Sequence, residues 1–400
     1  MRRRNLLVVQ GGGPTQMLNA TLAAIVEETR ACGSFERIWG ACSGIKGLLN
    51  GEAVDLGRLL PAELERLRMS PGAALGSSRA SLADEEMMRL ARCLEKNEVH
   101  DVLIAGGNGG MRSAEIVSQY CCDAGCDVRV LGVPKTIDND IAATDRCPGY
   151  ASAARYVAQS TRDLGMDVRS LPQPVSILET MGRGVGWLAA AAAAGKRDEE
   201  DAPHLVYVPE QAFEMDRFLA DLEEIVARLG WAIVVVAEGI RNRDGSFVHQ
   251  VEDAAQADPL GRPITGGVAQ FLSETVARQL KIRCRSEKPG LLGRASMLHA
   301  AAQDWKDADL VGRAAVRGLL QGERDKMVAL LPLNDAGECG YGYVPLASVA
   351  QVERPVPAEW TCDAAIPVSD RFFAYLAPLI GDLLPYCEPP AAERFSCEEE

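Results

Sequence analysis

Short apolar runs that do not alternate with polar residues recur along this chain, and amphipathic stretches separate them. The runs Leu6–Gln10, Val102–Ala105, Arg129–Val133, Val175–Glu179, Leu205–Val208 and Ile233–Ala237 read as strands. A strand that is apolar on every residue is covered on both faces, which is the situation of a parallel sheet between two helical layers. Helical patterns over Asn19–Ala31, Ser113–Cys121, Ser152–Leu164, Trp187–Lys196 and Phe213–Leu229 fall between or after these runs. Leu22, Ile25 and Val26 share one face of the first helix. The βαβα order predicts a doubly wound α/β fold.

The chain has 400 residues, too many for one small core at roughly 100–200 residues per domain, so at least two domains are expected. Apolar residues at 47% exclude disorder as the main theme. The 56 acidic against 42 basic side chains give a net charge of −14, which disfavours nucleic acid and anionic membrane as partners. No apolar run is long enough to span a bilayer, so no membrane partner is expected. The basic start Arg2–Arg4 and the run Leu6–Val9 lead into glycines, which suits a first strand better than a signal peptide. Twelve cysteines without a CxxC pair argue against a zinc ribbon and for free thiols in a reducing cytoplasm. Lys196–Asp201 reads as a solvated charged turn, and the polar, proline-containing tail from Glu388 as loosely ordered.

In doubly wound folds ligands lie beyond the carboxyl ends of the strands. Three strand ends here carry chemistry. Gln10-Gly11-Gly12-Gly13-Pro14-Thr15 precedes a helix, and its glycines let backbone N–H groups approach an anion. It is neither a Walker A loop nor GxGxxG, since Gln16 stands where the third glycine belongs. Gly106-Gly107-Asn108-Gly109-Gly110 repeats the device on a second strand. Pro134-Lys135-Thr136-Ile137-Asp138-Asn139-Asp140 sets two carboxylates around an amide, beside a lysine. One carboxylate can take a proton from an attacking hydroxyl, the other can hold a metal or orient its neighbour, and Lys135 supplies positive charge for a phosphoryl group in transit.

QGGGPT, LIAGGNGG, GVPKTIDND, the run Glu179-Thr180-Met181-Gly182-Arg183 and VVVAEG ending at Glu238 and Gly239 occur in an order and spacing that resemble the phosphofructokinase family. The resemblance runs from about residue 5 to about residue 330. It is strongest to the pyrophosphate-dependent branch, through QGGGPT, the lysine before TIDND and Trp187 after MGRxxG. It implies Mg²⁺-dependent phosphoryl transfer to the 1-hydroxyl of fructose 6-phosphate, a step of glycolysis. Asp138 would be the general base, and Asp140 would support it and the metal site. Arg183 and Lys135 would meet the transferring charge. Gly11, Gly12, Gly13, Arg79, Gly107, Asn108 and Gly109 would line the donor phosphates, with Asn108 reaching the metal. Thr136, Asp138, Met181, Gly182, Arg183 and Glu238 would line the sugar. Arg285 and Arg294 keep the nine-residue spacing of the family's 6-phosphate arginines, with Arg283 as the alternative to them. Gly293 departs from the family pattern by replacing a glutamine.

The donor is the open question in the sequence. The pyrophosphate branch carries an aspartate where Gly109 stands, and ATP users carry glycine there; Lys135 nevertheless follows the pyrophosphate pattern. Pyrophosphate is favoured on whole-chain resemblance, with ATP the alternative. A kinase for another sugar phosphate such as sedoheptulose 7-phosphate and a non-catalytic paralogue are the other readings. The expected architecture is two three-layer α/β/α domains with the active site in the cleft. Residues 1–148 would carry the donor, 149–295 the sugar phosphate, and 296–400 a helical region returning over both. The resemblance also implies a homodimer or homotetramer.

Overall fold

The computed structural model describes residues 4–78, 83–170, 174–250 and 266–387. Its larger sheet contains β1 (Arg4–Gln10), β2 (Phe35–Ala41), β3 (Ala53–Asp55), β4 (Val99–Gly106) and β5 (Arg129–Pro134). The smaller sheet contains β6 (Val175–Thr180), β7 (Leu205–Tyr207) and β9 (Ala232–Ala237). Two-residue strands β8 (Ala212–Phe213) and β10 (Arg241–Asn242) pair beside it. β11 (Cys284–Glu287) joins the smaller sheet, whereas β12 (Lys326–Leu333) and β13 (Cys339–Pro345) return to the larger one.

Strand order in the larger sheet is β13-β12-β5-β4-β1-β2-β3, parallel except for β3 and β13 at the two edges. Side-chain parity shows the three layers. Leu6, Val8, Leu103, Ala105, Leu131 and Val133 pack on one face with the helices Leu18–Cys32 and Ala302–Leu320. Leu7, Val9, Val102, Ile104 and Val130 pack on the other with the helices Asp84–Lys96 and Asn108–Asp123. The smaller sheet, β11-β6-β9-β7, is wholly parallel and has its own core, in which Ile233 to Ala237 on β9 are completely buried. Among the described residues no helix is long and apolar enough to cross a membrane, and the cysteines are free thiols. The tail from Glu388 lies outside the described residues.

The sequence reading needs correction in two places. The region from residue 296 is not purely helical, because β12 and β13 extend the first sheet. β12 (KMVALLPL) is itself a continuous apolar run with Met327, Val328 and Leu330 buried, so its pattern was legible although its destination was not. The helix expected over Ser113–Cys121 instead begins at Asn108, so Gly109 and Gly110 lie in its first turn. Glycine is tolerated there because first-turn N–H groups have no intrahelical partner to lose.

The Ala302–Leu320 helix ties the parts together through buried charge. Arg146 Nε and Nη2 donate to the two oxygens of Asp307, each at 2.7 Å, with both residues about 1% exposed. One turn earlier, Asp304 accepts from the N–H groups of Gly149 at 2.7 Å and Ser152 at 3.0 Å. It thereby caps the Tyr150–Arg169 helix, which starts where the Pro134–Asp140 turn and its following loop end. Burial pushes Asp304 up to about 6, so it is a carboxylate at neutral pH.

Candidate active site

The ends of β1, β4 and β5 lie side by side, so their three loaded turns converge. Register pairs Gln10 with Ala105 and Gly106 with Pro134. Gly11 N–H donates to Ala105 O at 2.8 Å, and Gly12 takes φ 73°, a left-handed conformation that favours glycine. Lys135, only 2% exposed, turns back under this glycine loop and donates to the carbonyls of Gly11 at 3.1 Å and Gly13. It therefore shapes the turn as well as charging it. Arg79 lies outside the described residues. Ser77, two positions before it, donates to Gly12 O at 2.7 Å.

Gly107 caps the Asn108–Asp123 helix, and the space around Gly109 is open: a Cβ there would meet nothing within 4 Å. Asn108 Nδ2 donates to Asp140 Oδ2 at 2.8 Å and to Asp140 O at 3.2 Å. Two buried oxygens in this pair, Asn108 Oδ1 and Asp140 Oδ1, have no hydrogen-bond partner. Among the described residues no group of three or more His, Cys, Asp or Glu side chains forms a metal cage. A site of this kind suits a cation that brings most of its ligands as phosphate oxygens and waters, as Mg²⁺ does.

Asp138 sits at the centre. Burial, then Asp140, then Glu238 raise its pKa to about 8 against the lowering pull of Lys135 and Arg294. Asp140 is also raised, by burial first and then by the charge of Glu353. Thr136 Oγ1 accepts from the Asp138 N–H at 3.1 Å, fixing the turn. A carboxylate whose proton affinity is lifted into the neutral range, with cations close by, is the electrostatic profile of a general base.

The opposite wall comes from the ends of β6 and β9. Gly182 (φ 124°) and Arg183 follow β6, and a Cβ on Gly239 would fall 1.7 Å from Arg183 O, so glycine there is a steric requirement. Met181 packs partly into the second core. Glu238 N–H donates to Thr180 O at 2.9 Å; burial, then Glu179, push Glu238 up to about 6, offset by Lys288 and Arg183. The two spaced arginines have different surroundings. Arg294 reaches the first glycine turn, where a Cβ on Gly13 would lie 2.5 Å from its Nη1. Arg285 is on β11 and lines a hollow of about 370 Å³ with Gln270, Ser273 and Glu274, and Arg283 lies just before that strand. None of the lining residues of this hollow belongs to the group around Asp138.

Several contributors were given no role by the motifs. Glu179 is 3% exposed, accepts from Gly267 N–H at 3.0 Å and pairs with Lys288 at 2.8 Å. Glu353 faces the Arg183 loop: its Oε2 would lie 2.6 Å from a Cβ on Gly184. Gln16 is fully buried beside Gly293, with its Oε1 unpartnered. Glu179 and Gln16 lie in or beside segments quoted above, whose pattern did not report their burial or partners, whereas Glu353 acts through the fold without a local pattern.

The family model for phosphofructokinase matches residues 5–319. The chain is 37% identical over 393 residues to a pyrophosphate--fructose 6-phosphate 1-phosphotransferase of Xanthomonas campestris pv. campestris, covering 95% of this chain and 92% of that protein. It is 34% identical over 323 residues to a sulfofructose kinase of Alkalicoccus urumqiensis, covering 80% and 82%. The crystal structure of a pyrophosphate-dependent phosphofructokinase from Nitrosospira multiformis superposes with a TM-score of 0.86 at 31% identity, over 96% of this chain and 94% of that one. On the family match, the near full-length relatives and the shared fold, the chain belongs to the phosphofructokinase family.

Proposed function

We propose that the protein transfers a phosphoryl group from pyrophosphate to the 1-hydroxyl of fructose 6-phosphate, giving fructose 1,6-bisphosphate. The observation that carries this reading is the convergence of two glycine turns, Lys135, Arg294 and the Asp138–Asp140 pair at the adjoining ends of β1, β4 and β5. The full-length similarity to proteins named for that reaction supports it. In-line phosphoryl transfer asks mainly for positioning and charge neutralisation. Asp138 takes the proton of the sugar hydroxyl. Asp140 is held by Asn108 and supports Asp138 from two positions along the same turn. The Gly11 N–H is taken by Ala105 O, so the N–H groups of Gly12, Gly13 and the Asn108 helix start receive the donor phosphates. Arg183 and Arg294 balance charge on the transferring group, and Met181, Gly182, Thr136 and Glu238 line the sugar. When bound, Mg²⁺ neutralises phosphate charge; Asn108 Oδ1 and Asp140 Oδ1 are the protein oxygens that would face it. Residues 1–148 carry the donor and 149–295 the sugar phosphate in this reading.

A homo-oligomer is part of the proposal. Leu291, Leu292 and Leu298 are 62%, 63% and 93% exposed around Arg294, an apolar surface at the rim of the site. The free thiols support a cytoplasmic setting.

Gly109 tests the donor. Its open surroundings admit an aspartate, and a carboxylate in the first turn of a helix is favourable for the fold. Gly109→Asp is expected to lower any ATP-supported kcat/KM at least about tenfold more than the pyrophosphate-supported value, because it adds repulsion against a nucleotide phosphate. Equal losses with both donors would remove position 109 as a discriminator. The sulfofructose kinase relative makes the C6 substituent the point to check on the acceptor. A panel of fructose 6-phosphate, its 6-sulfo analogue and sedoheptulose 7-phosphate should give the highest kcat/KM with fructose 6-phosphate.

A further inference from the structure

The segment after β13 crosses between the loop that carries Asp138 and Asp140 and the loop that carries Arg183. On the first side, Arg354 N–H donates to Asp140 O at 2.8 Å. Its guanidinium donates to Asn139 O at 3.1 Å, to Thr144 O at 2.8 Å and to Asp145 O. On the second side, Arg354 O accepts from Trp187 Nε1 at 3.0 Å, and its Cζ lies 4.6 Å from the Trp187 ring centroid. Two residues on, Val356 N–H and Gly186 N–H share one oxygen of Glu210, at 3.0 and 2.9 Å. Pro355 keeps Arg354 out of helical conformations, so the strap is extended.

The loop under the guanidinium needs holding. Asn139 and Ala143 both take φ 56°, left-handed conformations that cost non-glycine residues free energy and persist only where surrounding structure imposes them. They flank Asp140 on either side. The guanidinium gathers three main-chain carbonyls of this loop, and no side-chain carboxylate is among the partners given above. Nε and Nη1 make these bonds while Nη2 is buried without a partner, and a lysine ammonium does not reproduce the planar edge that Nε and Nη1 present.

We propose that Arg354 is a positioning residue for phosphoryl transfer: it holds the Asp138–Asp145 loop in register with the Met181–Trp187 loop. This rests on the phosphotransferase reading above. The partners of Arg354 named above are protein groups of the two loops, so in this reading its loss misplaces Asp138 relative to the hydroxyl without removing a binding contact. A displacement of about 1 Å in such a site costs on the order of 10²-fold in rate.

The test uses the full chain with Arg354→Ala and Arg354→Lys, assayed with fructose 6-phosphate, Mg²⁺ and pyrophosphate. Arg354→Ala should lose about 10–100-fold in kcat, with both KM values within about threefold of wild type. Millimolar guanidinium should restore several-fold of that loss and leave wild type unstimulated, whereas methylammonium should not. Arg354→Lys should lose kcat less severely and likewise spare KM, and it carries the test if the alanine variant does not fold. A kcat within about twofold of wild type in a folded variant, or a loss confined to KM, overturns the proposal. If wild type itself shows no turnover, the reaction assignment fails separately. Hydrogen exchange of peptide 136–147 then decides on Arg354: faster exchange in Arg354→Lys supports the loop-holding role, and unchanged exchange refutes it.

Discussion

Asp138→Asn lowers kcat for phosphoryl transfer by about 10²–10⁴-fold, the range expected when a positioned general base is removed. Steady-state rates at saturating sugar phosphate and Mg–pyrophosphate check this, and an unchanged kcat would take Asp138 out of the mechanism. The wild-type pH profile carries the same information. With its pKa raised to about 8 by burial and by Asp140 and Glu238, Asp138 is the competent base only once deprotonated. Wild-type kcat/KM should therefore climb as pH rises toward 8, and that limb should vanish in Asp138→Asn. Stability moves the opposite way. A carboxyl whose folded pKa lies above its unfolded value of about 3.9 costs the native state nothing at low pH. It destabilises progressively as pH rises from there through about 8. The asparagine variant should be the more stable protein at pH 8, with its advantage shrinking on acidification. Thermal midpoints at pH 5 and pH 8 would show it, and a variant less stable than wild type at pH 8 would contradict the account.

Asp307→Ala is expected to destabilise the protein by about 3 kcal/mol, the low end of the cost of breaking a buried pair, because the Arg146 guanidinium loses its bidentate partner and keeps only the Asp145 carboxylate, at 2.9 Å. Arg146 and Asp307 are each about 1% exposed, so water cannot take the lost place. The pair joins the loop after Asp140 to the Ala302–Leu320 helix, and activity should fall with stability. Urea unfolding with an unchanged m-value gives the size of the effect. Replacing both partners by leucine should recover only part of it, since Asp145, Leu331 O and Gln303 Nε2 each lose a partner with the pair. A single variant within about 1 kcal/mol of wild type would show that the pair is not a structural tie.

The sequence revealed what local chemistry writes into it. Continuous apolar runs at Leu6–Gln10 and Ile233–Ala237 told of strands covered on both faces, and the structure buries both runs between helical layers. Glycine turns could be placed at strand ends because few other residues allow backbone amides to approach a ligand. The carboxylates of Asp138 and Asp140 stood out because two acids beside a lysine at a strand end are costly without a use. Long-range partnerships stayed hidden. Nothing in KMVALLPL says that this run extends the first sheet rather than the second, because that depends on the path of the chain through the Ala302–Leu320 helix. Glu353 and Arg354 act on Asp140 from more than two hundred positions away, and their own neighbourhood carries no motif. The different settings of Arg285 and Arg294 likewise depend on where β11 ends, which spacing alone does not report.

The central claim is transfer from pyrophosphate to fructose 6-phosphate, and one comparison tests it most directly. Purified protein with Mg²⁺ and fructose 6-phosphate is assayed for fructose 1,6-bisphosphate with pyrophosphate and, separately, with ATP as donor. The account predicts a kcat/KM for pyrophosphate at least about tenfold above that for ATP, a difference of about 1.4 kcal/mol in transition-state stabilisation. A higher kcat/KM with ATP, or no turnover with either donor by folded protein, would contradict it.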